Sequence, residues 1–499
     1  MSIAGSSACA ERRVRDDSAR SVLASLGHWA RSAPGSMAVC VHDERGEVWR
    51  SWTYGQLAEA VGAAGEALQR WCGSEASVAL KAPSGGEYLA WLLGGLCAGV
   101  RVCVVAPTAT RHELERVVRI TGARHMIAAE RLAGLTDLTH IPLQVPENRG
   151  TSDISSFASC AQGSVVLQSS GTGGTPKLAR RSMASLDADA RGLAMAAELR
   201  PPDRVLGVVP LSHSYGVDLV VATILSGASL QVFERFEPAG VERLLRRGGV
   251  SVLPGVPFIF ESLARSGPTD ASHGLRLAIS AGSPLPERIA NEFHCAWGVR
   301  VGQLYGATEL GTVTLGCPEH PDFDPRSVGL PVDGASVRVV VPGEPSKLVP
   351  TGEEGELAVR ARSMLVEYLD GPTPLVDGHL LTGDLGRVDA RGRVYVTGRL
   401  KHLIDIGGLK VNPVEVEEVL AGCPGIAECA LVAIPVSETV TRLRLLYVED
   451  GDSAVSADTL RVFAQARLSP HKLPRVYQRV AALPRTPGGK LLRSTLGEL

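Results

Sequence analysis

The sequence lacks any closely paired cysteines. Its ten cysteines are scattered and never form a C-x-x-C pair, which argues against a zinc site and against a disulfide framework. They stand at Cys9, Cys40, Cys72, Cys97, Cys103, Cys160, Cys295, Cys317, Cys423 and Cys429. We therefore expect reduced thiols that behave as small buried hydrophobes, in a cytoplasmic protein.

Excess charge and long apolar runs are also missing. Lys and Arg number 51 against 53 Asp and Glu, so the formal net charge of -2 gives no field for holding a nucleic acid. The longest apolar stretch, 89–100, falls short of the ~20 residues needed to cross a bilayer. The polar N-terminus has no signal-peptide pattern. We expect a monomer or homodimer without nucleic acid or membrane span.

Aromatic residues are scarce at 4%, whereas glycine reaches 55 residues, which indicates a core of Ala, Val and Leu with many tight turns. From Trp52, segments with helical periodicity alternate with short Val-rich runs, a pattern typical of α/β folds. After about Gly329 the runs alternate as antiparallel strands do. At 499 residues we expect two domains, with a boundary near 399–401.

The most informative segment is SSGTGGTPK, directly after the strand-like run SVVLQ. Small residues let the backbone approach an anion, and amides, hydroxyls and a lysine can bind phosphate oxygens. A P-loop is excluded because Pro176 and Leu178 stand where that motif needs Gly and Ser or Thr. A flexible Gly/Ser turn is the simpler alternative. The candidate phosphate ligands are Ser169, Ser170, Gly171, Thr172, Gly173, Gly174, Thr175 and Lys177.

Three further motifs follow this loop, QLYGATELG, TGRLKHLIDIGGLKVNPVEVE and LPRTPGGK. In this order the four segments resemble the adenylate-forming family of acyl-CoA synthetases, firefly-type luciferases and nonribosomal-peptide adenylation domains. The resemblance runs from about Trp52 to Leu499. The chain departs from the family pattern at Gly173, where Thr is usual, at Leu178, where Gly is commonest, and at His402, where an acidic residue is common.

The resemblance implies a fold and a nucleotide site. The expected fold is α/β, with a large N-terminal domain of layered sheets, a small β-barrel-like subdomain and a small mobile α+β C-terminal domain. Tyr305 would stack on adenine, Glu309 would hold Mg²⁺ together with Thr172, and Asp384 would bind the ribose hydroxyls. The remaining ATP or AMP contacts implied are Gly282, Ser283, Gly306, Thr308 and Arg399.

The resemblance also implies a two-step cycle with ATP, Mg²⁺ and coenzyme A. Lys490 would bring the carboxylate and the α-phosphate together to form acyl-AMP. The C-terminal domain, 399–499, would then turn on the N-terminal domain, 1–398, about the hinge residue Lys401. That rotation would bring the thiol channel at Gly407, Gly408 and Lys410 to the adenylate.

The acyl pocket is expected at His213, Tyr215, Ser280, Gly282 and Gly306. The motif PLSHSYG has His213 where amino-acid-activating relatives carry an ammonium-pairing Asp, and no pocket motif carries a basic residue. A monocarboxylic acid is therefore expected, either aryl or medium aliphatic. The acceptor is coenzyme A or the phosphopantetheine arm of a carrier protein, and the chain length favours coenzyme A. A partner protein or pseudo-enzyme that retains one half-reaction is the alternative from another class.

Overall fold

The computed structural model divides the chain into two compact units. Unit 1 comprises 1–336 and 359–378, and unit 2 comprises 337–358 and 379–499. The structure describes residues 21–73, 76–131, 138–146, 163–169, 177–233, 237–265, 273–402, 404–406, 409–435, 441–451, 454–468, 470–486 and 491–499. Residues 1–20 lie outside this set.

A nine-stranded sheet forms one layer of unit 1. In spatial order its strands are β15 (Leu330–Pro331), β14 (Gly311–Leu315), β13 (Val301–Ala307), β12 (Leu277–Ser280), β11 (Val252–Gly255), β9 (Arg204–Gly207), β10 (Ser229–Phe233), β1 (Met37–His42) and β2 (Val48–Thr53). Strands β9, β11, β12 and β13 are parallel neighbours. Their carboxyl ends therefore meet at one edge, where ligands bind in such sheets.

A seven-stranded sheet forms a second layer of unit 1. In spatial order its strands are β19 (Glu367–Tyr368), β8 (Leu178–Ser182), β7 (Ser164–Gln168), β4 (Arg101–Val105), β3 (Ser77–Lys81), β5 (His125–Ala128) and β6 (Thr139–Pro142). All neighbours among the five strands β3, β4, β5, β6 and β7 are parallel, whereas β8 pairs antiparallel with β7. The predicted phosphate segment joins these two antiparallel strands.

Helices bury the apolar residues of both sheets. They are α1 (Val22–Ser32), α2 (Tyr54–Cys72), α3 (Gly86–Cys97), α4 (Arg111–Thr121), α5 (Met183–Ala196), α6 (Ser214–Ser226), α7 (Pro238–Arg246), α8 (Pro257–Ala264) and α9 (Glu287–Trp297). Thr53 caps α2 in a capping box with Gln56, which explains why the helix begins there. Helix α3 is buried almost throughout, so the longest apolar run is a core helix as expected. No helix among the described residues is long and apolar enough to cross a membrane.

Unit 2 begins with antiparallel strands. Strands β17 (Glu344–Leu348), β16 (Ala335–Val341), β18 (Gly355–Ala361) and β21 (His379–Val388) lie in that order, and β22 (Val394–Arg399) pairs with β21. The short strand β20 covers Leu375–Val376, which belong to the residues of unit 1. This antiparallel sheet is where the β-barrel-like subdomain was predicted.

The rest of unit 2 is a small α+β arrangement. It contains β23 (Ile404–Ile406), β24 (Leu409–Val411), α10 (Pro413–Ala421), β25 (Ile426–Pro435), β26 (Thr441–Glu449), α11 (Ala457–Gln465) and β27 (Val476–Arg479). Asn412 caps α10 and its side-chain amide donates to the Thr397 carbonyl oxygen at 2.7 Å. Strands β25, β26 and β27 form one sheet whose apolar face shares a core with Val416 and Leu460. The predicted α/β class and α+β C-terminal portion are confirmed.

Candidate active site

The two ends of the phosphate segment are fixed by the β7–β8 pair. The Ser169 amide donates to the Lys177 carbonyl oxygen at 2.8 Å, which extends the ladder by one step beyond the strands. The Lys177 amide donates to the Ser169 hydroxyl oxygen at 3.3 Å. The side chain of Lys177 is half-buried. The structure thus places a lysine at the point where the glycine-rich segment rejoins the sheet.

The motif QLYGATELG forms the end of β13 and the turn into β14. Tyr305 and Gly306 belong to the strand, whereas Thr308 and Glu309 lie in the turn. A Cβ on Gly306 would lie 2.4 Å from the Gly311 carbonyl oxygen, so only glycine fits this close approach. The hairpin therefore holds Tyr305 and Glu309 on one short, rigid element.

Tyr368 lies between Lys177 and Glu309. Its hydroxyl donates to Oε1 of Glu309 at 2.7 Å, and the Lys177 ammonium lies 4.5 Å from its ring centroid. Burial, together with the Glu309 carboxylate, raises the pKa of Tyr368, so the hydroxyl stays protonated. Sequence reasoning missed this residue because its strand has only two residues and shows no periodicity.

A buried ionic cluster supports the same hairpin from β8. The Arg181 guanidinium contacts Asp189 at 2.7 Å and Asp218 at 2.6 Å, and all three side chains are almost fully buried. Asp189 also accepts the Thr312 amide at 2.9 Å. The Arg181 charge lowers the pKa of Asp189, whereas burial beside Asp189 raises that of Asp218. Burial and the Asp189 charge thus both favour the protonated form of Asp218.

Gly311 allows this cluster to sit against the hairpin. Its φ is +68°, and a Cβ there would lie 2.7 Å from both Asp189 Oδ2 and Arg181 Nη2. A side chain at Gly311 would therefore be strained and would collide with the buried charges. No local sequence signal marks this cluster, because Arg181 stands between the polar residues Arg180 and Ser182 in β8.

The segment PLSHSYG connects β9 to α6. His213 precedes the helix and Tyr215 lies in its first turn. The buried Tyr88 hydroxyl donates to the Leu211 carbonyl oxygen at 2.8 Å and anchors the segment. His213 keeps solvent contact, yet enough protein surrounds its ring to lower the imidazole pKa below 6.5. The Tyr215 hydroxyl is buried without a hydrogen-bond partner in the described structure.

The segment SAGSPLP follows β12 at the same edge of the nine-stranded sheet. Ser280 ends the strand, and its hydroxyl is buried without a partner among the described residues. Gln303, two residues before Tyr305, accepts the Leu285 amide at 3.2 Å and so ties this segment to β13. Gly282 has φ +85°, a turn conformation that favours glycine. The segments that contain His213, Ser280 and Tyr305 therefore all leave one sheet edge.

Unit 2 carries the predicted ribose contacts. Asp384 lies inside β21 rather than in a turn, and its carboxylate is bound by the Arg399 guanidinium at 2.6 Å. Asp384 is 4% exposed, so the predicted ribose ligand is a buried carboxylate that is paired with a cation. Lys401 is exposed in the short 3-10 helix Leu400–His402, and the backbone of Lys410 lies in β24.

Several predicted residues lie outside the described part of the chain. They are Ser170, Gly171, Thr172, Gly173, Gly174 and Thr175 of the phosphate segment, Gly407 and Gly408 of the thiol channel, and the adenylation lysine Lys490. Their assignments stay predictions.

The family is established by comparison with known proteins. Residues 26–369 match the model of the AMP-binding enzyme family, and residues 415–490 match the AMP-binding enzyme C-terminal domain. The chain belongs to the AMP-binding enzyme family. The predicted adenylate-forming resemblance is confirmed, and so is the prediction of an enzyme related to the acid–thiol ligases.

Several proteins that are similar in sequence to this chain are CoA ligases. A sulfoacetate–CoA ligase of Cupriavidus necator is 32% identical, over 66% of this chain and 66% of that relative. A 4-coumarate–CoA ligase of Oryza sativa is 28% identical over 84% of each chain. ATP-bound MatB from Rhodopseudomonas palustris shares the fold with a TM-score of 0.83 and 25% identity, over 95% of this chain and 99% of that one.

Proposed function

We propose that the protein is an ATP-dependent carboxylic acid–CoA ligase. It activates a monocarboxylic acid as acyl-AMP, releases pyrophosphate, and then forms the thioester of coenzyme A. The observation that carries the proposal is that Lys177 and Glu309 both contact Tyr368. A cation that can bind phosphate oxygens, Lys177, and a carboxylate that can bind a metal ion, Glu309, thus lie on either side of one side chain. A magnesium–triphosphate complex requires both kinds of group.

The proposed site suits Mg²⁺ although the protein would supply only a few of the metal ligands. Mg²⁺ bound to nucleotides commonly takes one or two carboxylates together with substrate phosphates and water. Glu309 supplies such a carboxylate, because its bond from Tyr368 occupies only one of its two oxygens. The cation would neutralise the charge of the triphosphate as the acid attacks. Thr172 remains the proposed second ligand.

This chain's own residues divide the remaining work. Lys177 holds phosphate oxygens, Tyr305 stacks on the adenine, and the Asp384 carboxylate accepts hydrogen bonds from the ribose. Lys490 neutralises the two anions that meet during adenylation. Rotation of 399–499 about Lys401 then exchanges Lys490 for the Gly408 channel, so that one site serves both steps.

The electrostatics of the acyl pocket favour a neutral tail. The segments with His213, Ser280 and Tyr305 carry no Arg or Lys. Arg181, the buried cation that contacts the Tyr215-bearing helix through Asp218, already contacts both Asp189 and Asp218. A second carboxylate on the substrate would therefore be buried without a partner, which costs several kcal/mol. Aryl and medium aliphatic monocarboxylates both satisfy this condition.

The test is ATP–pyrophosphate exchange with the full-length chain over a panel of acids. Benzoate and hexanoate represent neutral tails, and phenylalanine, malonate and sulfoacetate represent charged ones. We expect exchange with neutral-tailed acids and at least about a hundredfold lower kcat/KM with the charged ones, from the cost of an unpaired charge. A preference for a charged acid would refute the pocket assignment.

The acceptor is tested separately. Thioester formation is measured with coenzyme A and, in parallel, with a phosphopantetheinylated carrier protein, because both present the same thiol. We expect coenzyme A to be the better substrate. Exclusive use of the carrier protein would replace this part of the proposal, and exchange without any thioester would indicate a protein that retains one half-reaction.

A further inference from the structure

Tyr368 contacts two groups that the proposed function assigns to ATP, although no sequence motif marks it. Its hydroxyl bonds the Glu309 carboxylate at 2.7 Å, and its ring lies 4.5 Å from the Lys177 ammonium. Glu309 and Tyr368 are 59 positions apart in the chain. One side chain therefore links the phosphate segment to the metal-binding turn.

The protein itself fixes the position of Tyr368. Strand β19 pairs antiparallel with β8, with Tyr368 opposite Ala179. Beyond it the Leu369 amide donates to the Leu178 carbonyl oxygen at 2.9 Å, and the Leu178 amide donates to the Asp370 carboxylate at 2.9 Å. All of these bonds are made between groups of the protein, so the backbone of neighbouring segments fixes the strand that carries the ring.

The residues before Tyr368 hold the turn of Glu309. The Leu365 amide donates to the Glu309 carbonyl oxygen at 2.7 Å, and the Ser363 hydroxyl donates to the Leu310 carbonyl oxygen at 2.6 Å. Residues 363–370 thus bind both the strand after the phosphate segment and the turn that carries Glu309. The two halves of the proposed site are coupled through this segment.

The chemistry of Tyr368 suits both contacts. A phenol that keeps its proton donates to a carboxylate, so it orients Glu309 without adding charge. An aromatic face attracts an ammonium group and restricts where it lies. Both partners can still bind the metal–nucleotide complex, since the Glu309 carboxylate has a second oxygen and the Lys177 ammonium has three N–H donors.

We propose that Tyr368 is a positioning residue for the adenylation step, which holds Glu309 ready for Mg²⁺ and Lys177 ready for the triphosphate. The proposal rests on the proposed function, because it assigns Tyr368 to the ATP-dependent step. It predicts that losing the hydroxyl weakens binding of the metal–nucleotide complex. It also predicts that thioester formation from a ready-made adenylate is little changed, since that step uses no triphosphate.

The experiment compares Tyr368→Phe, which loses the hydroxyl, with Tyr368→Leu, which also loses the ring. Binding of Mn²⁺·ATP is measured by electron paramagnetic resonance, and binding of ATP in EDTA by calorimetry. For Tyr368→Phe we expect Mn²⁺·ATP to bind about tenfold more weakly, with metal-free ATP binding unchanged. For Tyr368→Leu we expect metal-free ATP binding to weaken as well, about threefold, because Lys177 loses its aromatic contact.

Tyr395→Phe is the matched control. The Tyr395 hydroxyl also bonds a carboxylate, that of Asp389 at 3.2 Å, and a guanidinium, that of Arg387, lies 3.8 Å from its ring centroid. This variant removes the same kind of bond at a position with no proposed role in ATP binding. We expect its Mn²⁺·ATP affinity to equal that of the wild type.

Two outcomes would overturn the proposal. The first is a Tyr368→Phe variant that binds Mn²⁺·ATP as tightly as the wild type. The second is equal loss of adenylation and of thioester formation from synthetic acyl-AMP, which would indicate a merely structural role. Failure of the proposed function is recognised separately, since wild-type protein would then show no acid-dependent pyrophosphate exchange, whatever the variants bind.

Discussion

The buried cluster of Arg181, Asp189 and Asp218 predicts strongly unequal effects for two similar substitutions. If Asp218 keeps its proton, Asp218→Asn replaces one neutral group by another and should cost about 1 kcal/mol or less. Asp189→Asn removes the ionised partner and leaves Arg181 uncompensated, which should cost about 3–5 kcal/mol. With about 2.1 cal/mol/K of unfolding entropy per residue, that loss lowers the Tm of a unit of this size by about 4–7 °C.

The assay is thermal unfolding of each variant without nucleotide, followed by calorimetry. Arg265→Met is the control, because its 2.9 Å contact with Glu261 is exposed and should contribute about 0–1 kcal/mol. Equal effects of Asp189→Asn and Asp218→Asn would refute the assignment of the proton to Asp218.

The pH dependence gives a second check on the same cluster. Burial raises the folded-state pKa of Asp218 above 3.8, so the folded state binds an extra proton. The stability that this proton confers is complete below 3.8 and is lost as the pH rises through the raised value. The wild type should therefore lose Tm relative to Asp218→Asn as the pH rises. A constant difference would contradict the raised pKa.

Three further predictions concern the reaction. Lys490→Ala should abolish pyrophosphate exchange and spare thioester formation from synthetic acyl-AMP. The control is Lys347→Ala, an exposed lysine whose loss should change neither activity. Equal loss of both activities would contradict the assignment of Lys490 to the adenylation step alone. Gly408→Leu should spare pyrophosphate exchange and block thioester release. The control is Gly35→Leu, where a Cβ would meet no atom within 4 Å, and it should change neither activity. Continued thioester release by Gly408→Leu would show that the thiol channel does not pass Gly408. Because burial lowers the pKa of His213 below 6.5, any limb of the adenylation pH profile that belongs to it should lie below that pH and vanish in His213→Phe. A limb above pH 7 that vanishes in the variant would oppose this reading.

The sequence predicted the layered fold because strand and helix periodicities are local signals. Val-rich runs predicted β3, β4, β9 and β11, the apolar run LAIS predicted β12, and the change of pattern after Gly329 predicted the antiparallel sheet. The close approach of Gly306 to the Gly311 carbonyl oxygen is likewise a contact between near neighbours in the chain. These features depend on neighbours in the chain and can be predicted from it.

The remaining site features depend on residues far apart in the chain. Tyr368 reaches Glu309 from a strand too short to show alternation. Arg181 meets Asp218 across 37 positions, and no spacing rule links a strand charge to a helix carboxylate. Asp384 pairs with Arg399 from the neighbouring strand β22, 15 positions further along the chain by their residue numbers (399 − 384). Only the pairing of distant strands reveals such contacts.

The antiparallel β7–β8 pair has a consequence for how this site can change. The phosphate segment is bounded by a hydrogen-bonded rung between Ser169 and Lys177, and it does not lead into a helix. Phosphate affinity here therefore does not draw on a helix dipole at that position. The two ends of the segment, Ser169 and Lys177, are thus fixed on paired strands. Because all nucleoside triphosphates present the same phosphates, a change in the phosphate contacts of this segment would leave the choice of nucleobase, which we assign to Tyr305, unaltered.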